Sequence, residues 1–236
     1  LQITYPYKAE FNSKIQLRSI DNPFIPRNLG LVREVPTKLQ HSPVELWYCQ
    51  STQYQVPKSY ISMMLFNSEF NSTAEQFLAT RLYIDLLMDN LNELLYDASE
   101  AGVYVKIYSS MNYIQLQFSG FSSGLYELIK QVIKQMVTFK FTESEFNKYL
   151  QKHLTDCKSY LMSSPYKLLL AELRRQQIPS IFSPHTMINT NASFTYEKMQ
   201  KYHQSMSQLL SKSSVRMIVY GNETTNSAIK YSDLIE

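Results

Sequence analysis

The chain has 236 residues, of which 44% are hydrophobic and 18% are charged, a composition that excludes a disordered protein. Lys and Arg number 23 against 20 Asp and Glu, and so small an excess does not indicate a nucleic-acid partner. The sequence lacks a run of about 18 apolar residues, so it predicts no membrane partner either. The two cysteines, Cys49 and Cys157, make no disulfide framework and indicate a reducing compartment, which we take to be the cytoplasm.

The first part of the chain differs from the rest in its proline content and in its apolar pattern. Residues 1–43 hold several prolines and no steady apolar period, which predicts an extended connector linking two larger bodies. A single domain is expected over residues 44–236. Its first two strands are predicted at 44–50 and 58–69, because both runs are rich in β-branched and aromatic residues.

A long helix is predicted over residues 73–100. Thr73 and Gln76 have the spacing of a capping box, and two apolar rows follow at helical spacing. The runs 103–109 and 113–119 are then predicted as two strands of a hairpin, and the second alternates polar and apolar residues with a period of two.

The second half of the chain is mostly helical by its apolar period. Residues 178–194 are predicted as a loop, and 214–220 as a last strand. The helices are predicted at 124–139, from Thr142 to about Leu161, from Ser164–Pro165 onward, and at 195–210. The order β-β-α-β-β-α-α-α-α-β predicts an α+β fold, in which a largely antiparallel sheet carries its helices on one face.

Histidines are the first candidates for a metal centre. His41, His153, His185 and His203 form none of the spacings by which a helix presents two zinc ligands and a catalytic glutamate. His153 and Cys157 lie four residues apart on one predicted helix and would face one ion. Two ligands do not make a site, however, and both fall on an apolar stripe, so we favour packing.

Other candidate groups favour a solvated surface over a site. Five carboxylates share one face of the long predicted helix and would suit a cation or a basic peptide: Asp85, Asp89, Glu93, Asp97 and Glu100. No histidine accompanies them, which argues against acid–base catalysis. The basic residues are spread over several helices: Lys130, Lys134, Lys140, Lys148, Lys152, Arg174 and Arg175. Neither cysteine has a base and an orienting group in an evident arrangement. We therefore predict no catalytic, metal-binding or cofactor-binding residue in this chain.

Five segments, in sequence order, are similar to landmarks of the insulysin/pitrilysin-type zinc metallopeptidases. They are Asn22 to Leu29, Leu46 to Tyr48 with Val56 to Lys58, Leu86 to Glu93 with Tyr96 and Glu100 to Gly102, Gln135 to Phe139, and Tyr220 to Asn222. The resemblance extends over nearly the whole chain from about residue 20.

This resemblance implies a place within a larger enzyme. Members of the family are chains of four homologous α+β domains, which form two halves around a peptide-sized chamber, and zinc is bound in the first domain. The present chain resembles the connector and the third, non-catalytic domain. Its expected partners are peptide substrates and the N-terminal catalytic half of the same polypeptide, with homodimerisation as a further expectation.

Two other readings follow from the residues. One is a catalytically inactive scaffold or peptide-binding module with the same fold, which an upstream sequence without a His-x-x-Glu-His motif would favour. The other is an independent hydrolase that uses Cys49 or Cys157, which selective labelling by a thiol-reactive probe would favour.

Overall fold

The computed structural model describes residue 39 and residues 44–51, 56–110, 112–178 and 181–235. The predicted connector, apart from Leu39, lies outside the described residues, and so does His41. Leu39 itself packs against the hydrophobic core.

One sheet of five strands organises the described part of the chain. The strands are β1 (Glu45–Gln50), β2 (Lys58–Phe66), β3 (Val103–Ser109), β4 (Tyr113–Phe121) and β5 (Ser214–Gly221). Their spatial order is β1-β5-β2-β4-β3, and all neighbours are antiparallel except β1 and β5. The predicted α+β fold with a largely antiparallel sheet is therefore confirmed. Since β5 lies between β1 and β2, the last described strand in sequence is an interior strand of the sheet.

Eight helices are present within the described residues. They are α1 (Ala74–Asn90), α2 (Asn92–Glu100), α3 (Ser122–Thr138), α4 (Glu143–Leu161), α5 (Pro165–Gln177), α6 (Pro184–Ser193), α7 (Tyr196–Ser211) and α8 (Thr225–Ser232). Strand burial alternates, most regularly in β5, where Val215, Met217 and Val219 are buried and their neighbours are exposed. The buried face of the sheet and the apolar sides of the helices form one core.

The single long helix predicted over 73–100 is divided in the structure. Leu91 separates α1 from α2 and has φ −80° and ψ −4°. Asn90 and Asn92 flank this point, and asparagine is a poor helix former. The apolar period continues across the division because Leu91 itself is buried, so the period alone could not reveal the break.

The loop predicted over 178–194 is wrong for its second half, which forms α6. Ser183 caps this helix by accepting a hydrogen bond from the Thr186 N–H at 3.1 Å, and Pro184 occupies its first turn. Only Met187 and Asn191 of α6 are buried. A helix with so few buried residues carries almost no apolar period, and that weak signal explains the error.

Helix α8 was not predicted either, and a buried carboxylate connects it to the sheet. The Tyr231 hydroxyl donates to Oε1 of Glu223 at 2.8 Å, and the Ser227 hydroxyl donates to Oε2 at 2.6 Å. The Tyr48 hydroxyl of β1 donates to the Glu223 backbone carbonyl at 2.7 Å. Burial raises the pKa of the Glu223 carboxyl, and the hydrogen bonds to its oxygens oppose that rise.

His203 of α7 lies within a cluster of aromatic rings. Its ring centroid is 4.6 Å from that of Phe139, 5.4 Å from Phe141 and 6.0 Å from Tyr83. Its Nε2 atom is buried and has no hydrogen-bond partner among the described residues. Burial therefore lowers the pKa of His203, because this apolar site disfavours the charged imidazolium.

We expect this histidine to make the folded state less stable in acid. Because its pKa is lower in the folded state, its contribution is complete above about pH 6.5, the unfolded value, and is lost as the pH falls through the folded pKa. His203→Phe should then lose less stability than the wild type between pH 8 and pH 5, measured by urea unfolding at each pH. Equal losses of unfolding free energy in the wild type and the variant would contradict the assignment of this acid sensitivity to His203.

Candidate functional site

The second face of the sheet is the most extensive candidate surface. Alternation along each strand points one set of side chains into the core and the other set outward. Among the outward side chains, those of Trp47, Tyr104, Tyr108, Ile218 and Tyr220 are between 38% and 52% exposed. The described residues thus leave this face, which we call the open face, accessible to solvent.

Strand register places the outward side chains in rows across the sheet. One row runs through Trp47, Ile218, Ser62, Gln117 and Lys106. The next row toward the carboxyl end of β5 contains Cys49, Tyr220, Tyr60, Ser119 and Tyr104. Each row therefore brings together side chains from all five strands, and residues far apart in sequence become neighbours.

Aromatic side chains outnumber charged ones on the open face, where the outward charged residues are Glu45, Lys58, Lys106 and Arg216. The outward aromatic residues are Trp47, Tyr60, Phe66, Tyr104, Tyr108, Tyr113, Phe121 and Tyr220. Of the outward charged residues, Arg216 pairs with Glu45 at 2.6 Å, whereas Lys58 lies over the Phe121 ring at 5.2 Å. Such a surface suits apolar and aromatic side chains of a ligand, while its serine and glutamine groups can hydrogen-bond a polar main chain.

A cavity of about 560 Å³ lies at one end of the open face. Tyr60, Tyr104 and Tyr220 contribute to its walls, and Gly120 and Gly221 contribute backbone. Gly120 has φ +138°, and a Cβ atom there would lie 2.3 Å from the Gly102 carbonyl oxygen. Glycine is thus required here so that the ends of β3 and β4 can approach each other closely.

His153 and Cys157 are neighbours on α4, as their spacing predicted. The Cys157 Sγ atom is 3.9 Å from Nδ1 of His153, and the Asn191 side-chain amide of α6 lies 2.9 Å from the same nitrogen. Burial lowers the pKa of His153, and burial raises the pKa of Cys157. Both shifts favour neutral side chains, so this pair does not have the thiolate character of a catalytic cysteine.

The described residues do not fit a zinc ion. Among them, no three His, Cys, Asp or Glu side chains are grouped closely enough to hold a metal. Within the described part of the chain His153 and Cys157 have no third ligand, His185 lies near the start of α6, and His203 lies in its aromatic cluster. No metal-dependent step can therefore be assigned to these residues.

The predicted acidic face is shared between two helices. Asp85 and Asp89 belong to α1, and the other three carboxylates belong to α2. Asp89 pairs with Lys148 of α4 at 3.5 Å, and Asp85 lies 3.8 Å from Arg81. The basic residues are spread over α3, α4, α5 and the α3–α4 connection, and Arg175 pairs with Glu172. The Lys148–Asp89 pair connects α4 to α1, and the other two pairs lie within single helices. None of these three pairs forms an acid–base centre.

The sequence left open whether the polar face of the 73–100 helix or the strand surfaces would contact substrate, and it did not single out the open face. Trp47 and Tyr220 lie in strands that were predicted, and Cys49 is an exposed free thiol on the same face. The available signal was the alternation in β5, where Arg216, Ile218 and Tyr220 occupy the positions between buried residues. A large aromatic residue such as Tyr220 at a predicted outward position of a strand indicates an interaction surface.

Comparison with known proteins identifies the family. The model of the middle or third domain of peptidase M16 matches residues 7–190. The insulin-degrading enzyme of Bos taurus is 23% identical over 235 residues, which cover 97% of this chain and 23% of that protein. The chain belongs to the middle-domain family of the M16 peptidases. The resemblance to insulysin/pitrilysin-type enzymes is thereby confirmed.

Solved structures show the same fold. A crystal structure of pitrilysin superposes with a TM-score of 0.82 and 19% identity, covering 91% of this chain and 23% of that one. A protease from Helicobacter pylori gives a TM-score of 0.61 and 12% identity, covering 86% of this chain and 49% of that one. The present chain thus spans less than a quarter of pitrilysin and of the bovine relative, and about half of the Helicobacter protein.

No helix within the described residues has the length and apolar character needed to cross a membrane.

Proposed function

We propose that this chain is the non-catalytic third domain of a zinc metalloendopeptidase and forms part of the wall of its peptide-enclosing chamber. The full-length parent would hydrolyse peptide bonds with zinc bound in another domain, the first. The open face of the sheet would contact the peptide. One observation carries the proposal: in a chain of the M16 middle-domain family, this face is exposed and rich in aromatic side chains.

The physical role of such a wall is to hold a substrate without reacting with it. An unfolded peptide presents apolar side chains and an unpaired main chain, and the open face offers aromatic rings together with the half-buried Gln117 and Ser119. Contacts of this kind offset part of the free-energy cost of the entropy that the peptide loses when it is enclosed. The wall also limits the size of the enclosed substrate, while the metal performs the chemistry elsewhere.

The two cysteines support the proposed cytoplasmic location. Cys49 is exposed and Cys157 is half-buried, and both are free thiols. Unpaired cysteines are typical of proteins from reducing compartments.

Peptide binding to the open face should be visible in the fluorescence of Trp47, the single tryptophan of the chain. A tryptophan-free oligopeptide rich in Phe and Leu should shift the Trp47 emission to shorter wavelength, because binding removes water from the indole ring. Ile218→Lys should weaken that binding about tenfold, or about 1.4 kcal/mol, because it places a charge directly beside Trp47.

Two controls accompany this titration. Tyr96→Lys changes a residue that is 65% exposed on α2, away from the sheet, and should leave the affinity unchanged. A peptide with Ser in place of Phe and Leu should bind far more weakly. A titration in which neither peptide alters Trp47 emission would remove the open face as a peptide surface.

The assignment of chemistry to another domain has a separate test. The 236-residue chain should show no peptidase activity, whereas the full-length product should cleave peptides and lose that activity on treatment with a chelator. A full-length product that binds peptides without cleaving them would establish the scaffold reading instead. Chelator-sensitive cleavage by the 236-residue chain alone would refute both.

A further inference from the structure

Helix α5 is unusual because none of its residues is buried. Tyr166, Leu169, Leu170 and Leu173 follow the spacing i, i+3, i+4 and i+7, and they are 69%, 61%, 38% and 46% exposed. We call these four residues the outer stripe. A helix of 13 residues is marginal in water unless an apolar side packs against something. The outer stripe has the pattern of a packed side and no partner among the described residues.

The opposite side of α5 faces the rest of the domain across a groove. Leu168 and Ala171 line a cavity of about 580 Å³, together with Tyr160 of α4, Met187 of α6 and Phe182. The side of α5 that faces its own domain therefore combines Leu168 and Ala171 with the Glu172–Arg175 ion pair, and it is incompletely packed. A helix at the surface of a free domain needs no apolar stripe on its exposed side. Exposed apolar patches of this kind mark interaction surfaces.

Charge on α5 restricts what can cover the stripe. At 100° per residue, Lys167 and Arg174 project along the same flank of the outer stripe, next to Leu170. No ion pair within the described residues includes either of them, whereas Arg175, on another side of the helix, pairs with Glu172. A partner that covers the stripe would gain from carboxylates opposite this basic flank.

We propose that the outer stripe is the docking surface for an amphipathic helix of another domain of the same polypeptide. That helix would present apolar residues at the matching i, i+3, i+4, i+7 spacing and acidic residues toward Lys167 and Arg174. This inference rests on the longer polypeptide of the proposed function. The lengths of the similar proteins support it, since this chain covers only 23% of pitrilysin and 49% of the Helicobacter protease. A tethered domain is present at high effective concentration, so a modest surface is sufficient.

A second copy of the chain fits the stripe less well. When two identical helices pair antiparallel about a two-fold axis, each flank faces the same flank of its partner. Lys167 and Arg174 would then face the partner's basic flank, and like charges at that position are repulsive.

Hydrogen exchange tests the proposal directly. The backbone amides of residues 165–177 should exchange at least about tenfold more slowly in the full-length product than in the 236-residue chain, because packing suppresses local opening. The amides of α1, which is buried in both, should exchange alike and serve as the internal reference. The double variant Leu169→Gln, Leu173→Gln should remove the extra protection in the full-length product.

A matched variant separates docking from folding. Val137→Gln replaces an exposed apolar residue on α3, 49% exposed, and should leave the exchange of α5 unchanged. In the 236-residue chain the double variant should leave the unfolding midpoint unchanged within about 1 °C, because it removes no buried side chain. A charge reversal, Lys167→Glu with Arg174→Glu, should weaken the protection in the full-length product, and high salt should weaken it in the wild type.

Three outcomes would overturn the inference. The first is equal exchange of α5 in both proteins. The second is protection that survives the double variant. The third is concentration-dependent dimerisation of the 236-residue chain, abolished by the double variant in sedimentation experiments, because the occupant would then be a second copy. A full-length product with a protected α5 but without metal-dependent peptidase activity would refute the proposed function and leave this inference standing.

Discussion

Gly120→Ala should lower the free energy of unfolding by about 3 kcal/mol, because the new methyl group would overlap neighbouring backbone atoms. Its Cβ atom would lie 2.3 Å from the Gly102 carbonyl oxygen and 2.7 Å from the Val103 Cα atom. Both are backbone atoms of the neighbouring chain segment, so relief requires movement of β3 away from β4. In addition, φ at this position is +138°, a conformation that residues with a Cβ atom rarely adopt.

Gly102→Ala is the matched control for this substitution. Gly102 also has a positive φ, +74°, but its added Cβ atom would meet only the Phe121 ring at 3.0 Å. A side chain can move where a backbone cannot, so the expected loss is the conformational cost of about 1 kcal/mol. Urea unfolding followed by circular dichroism measures both values, with an unchanged m value as the sign of an intact fold. Equal losses at the two positions would show that backbone overlap is not the cause.

Met217→Ala should destabilise the protein by about 3 kcal/mol, whereas Ile218→Ala, one residue along the same strand, should cost at most about 1 kcal/mol. Met217 is 1% exposed on the core side of β5, so truncation leaves a cavity among packed side chains. Ile218 is 43% exposed on the open face, so truncation there removes little buried surface.

The same pair of variants should rank in the opposite order for peptide binding. Ile218→Ala should weaken binding to the open face, and Met217→Ala should preserve it in the fraction that remains folded. Unfolding experiments give the first ranking, and titrations read by Trp47 fluorescence give the second. Similar effects of both variants on stability would contradict the assignment of opposite faces to the two residues.

Much of the local structure was evident in the sequence. The hairpin strands were predicted at 103–109 and 113–119, and they are observed at Val103–Ser109 and Tyr113–Phe121. The Thr142 capping box marks the start of α4, where the Glu145 N–H donates to the Thr142 hydroxyl at 3.3 Å. These predictions succeeded because strand period and helix caps are local interactions between residues within a few positions of each other.

Short helices with few buried residues were harder to predict. Helices α6 and α8 depend on caps and on a handful of specific contacts, such as the Tyr231 hydroxyl on Glu223. A hydrogen bond of this kind leaves no repeating pattern in the sequence. The candidate site was not singled out for a related reason: Trp47, Tyr60 and Tyr104 are ordinary strand residues until the sheet order places them on one face.

The sequence by itself determined the five strands and most of the longer helices, the apolar side of each of these, and the family to which the chain belongs. Only the tertiary structure decided that β5 inserts between β1 and β2, that the outward residues of five strands form one open face, and that the outer stripe of α5 is exposed. The physical reason is that periodicity records the solvent preference of each side of an element. It does not record which distant element supplies the hydrogen bonds or the covering side chains.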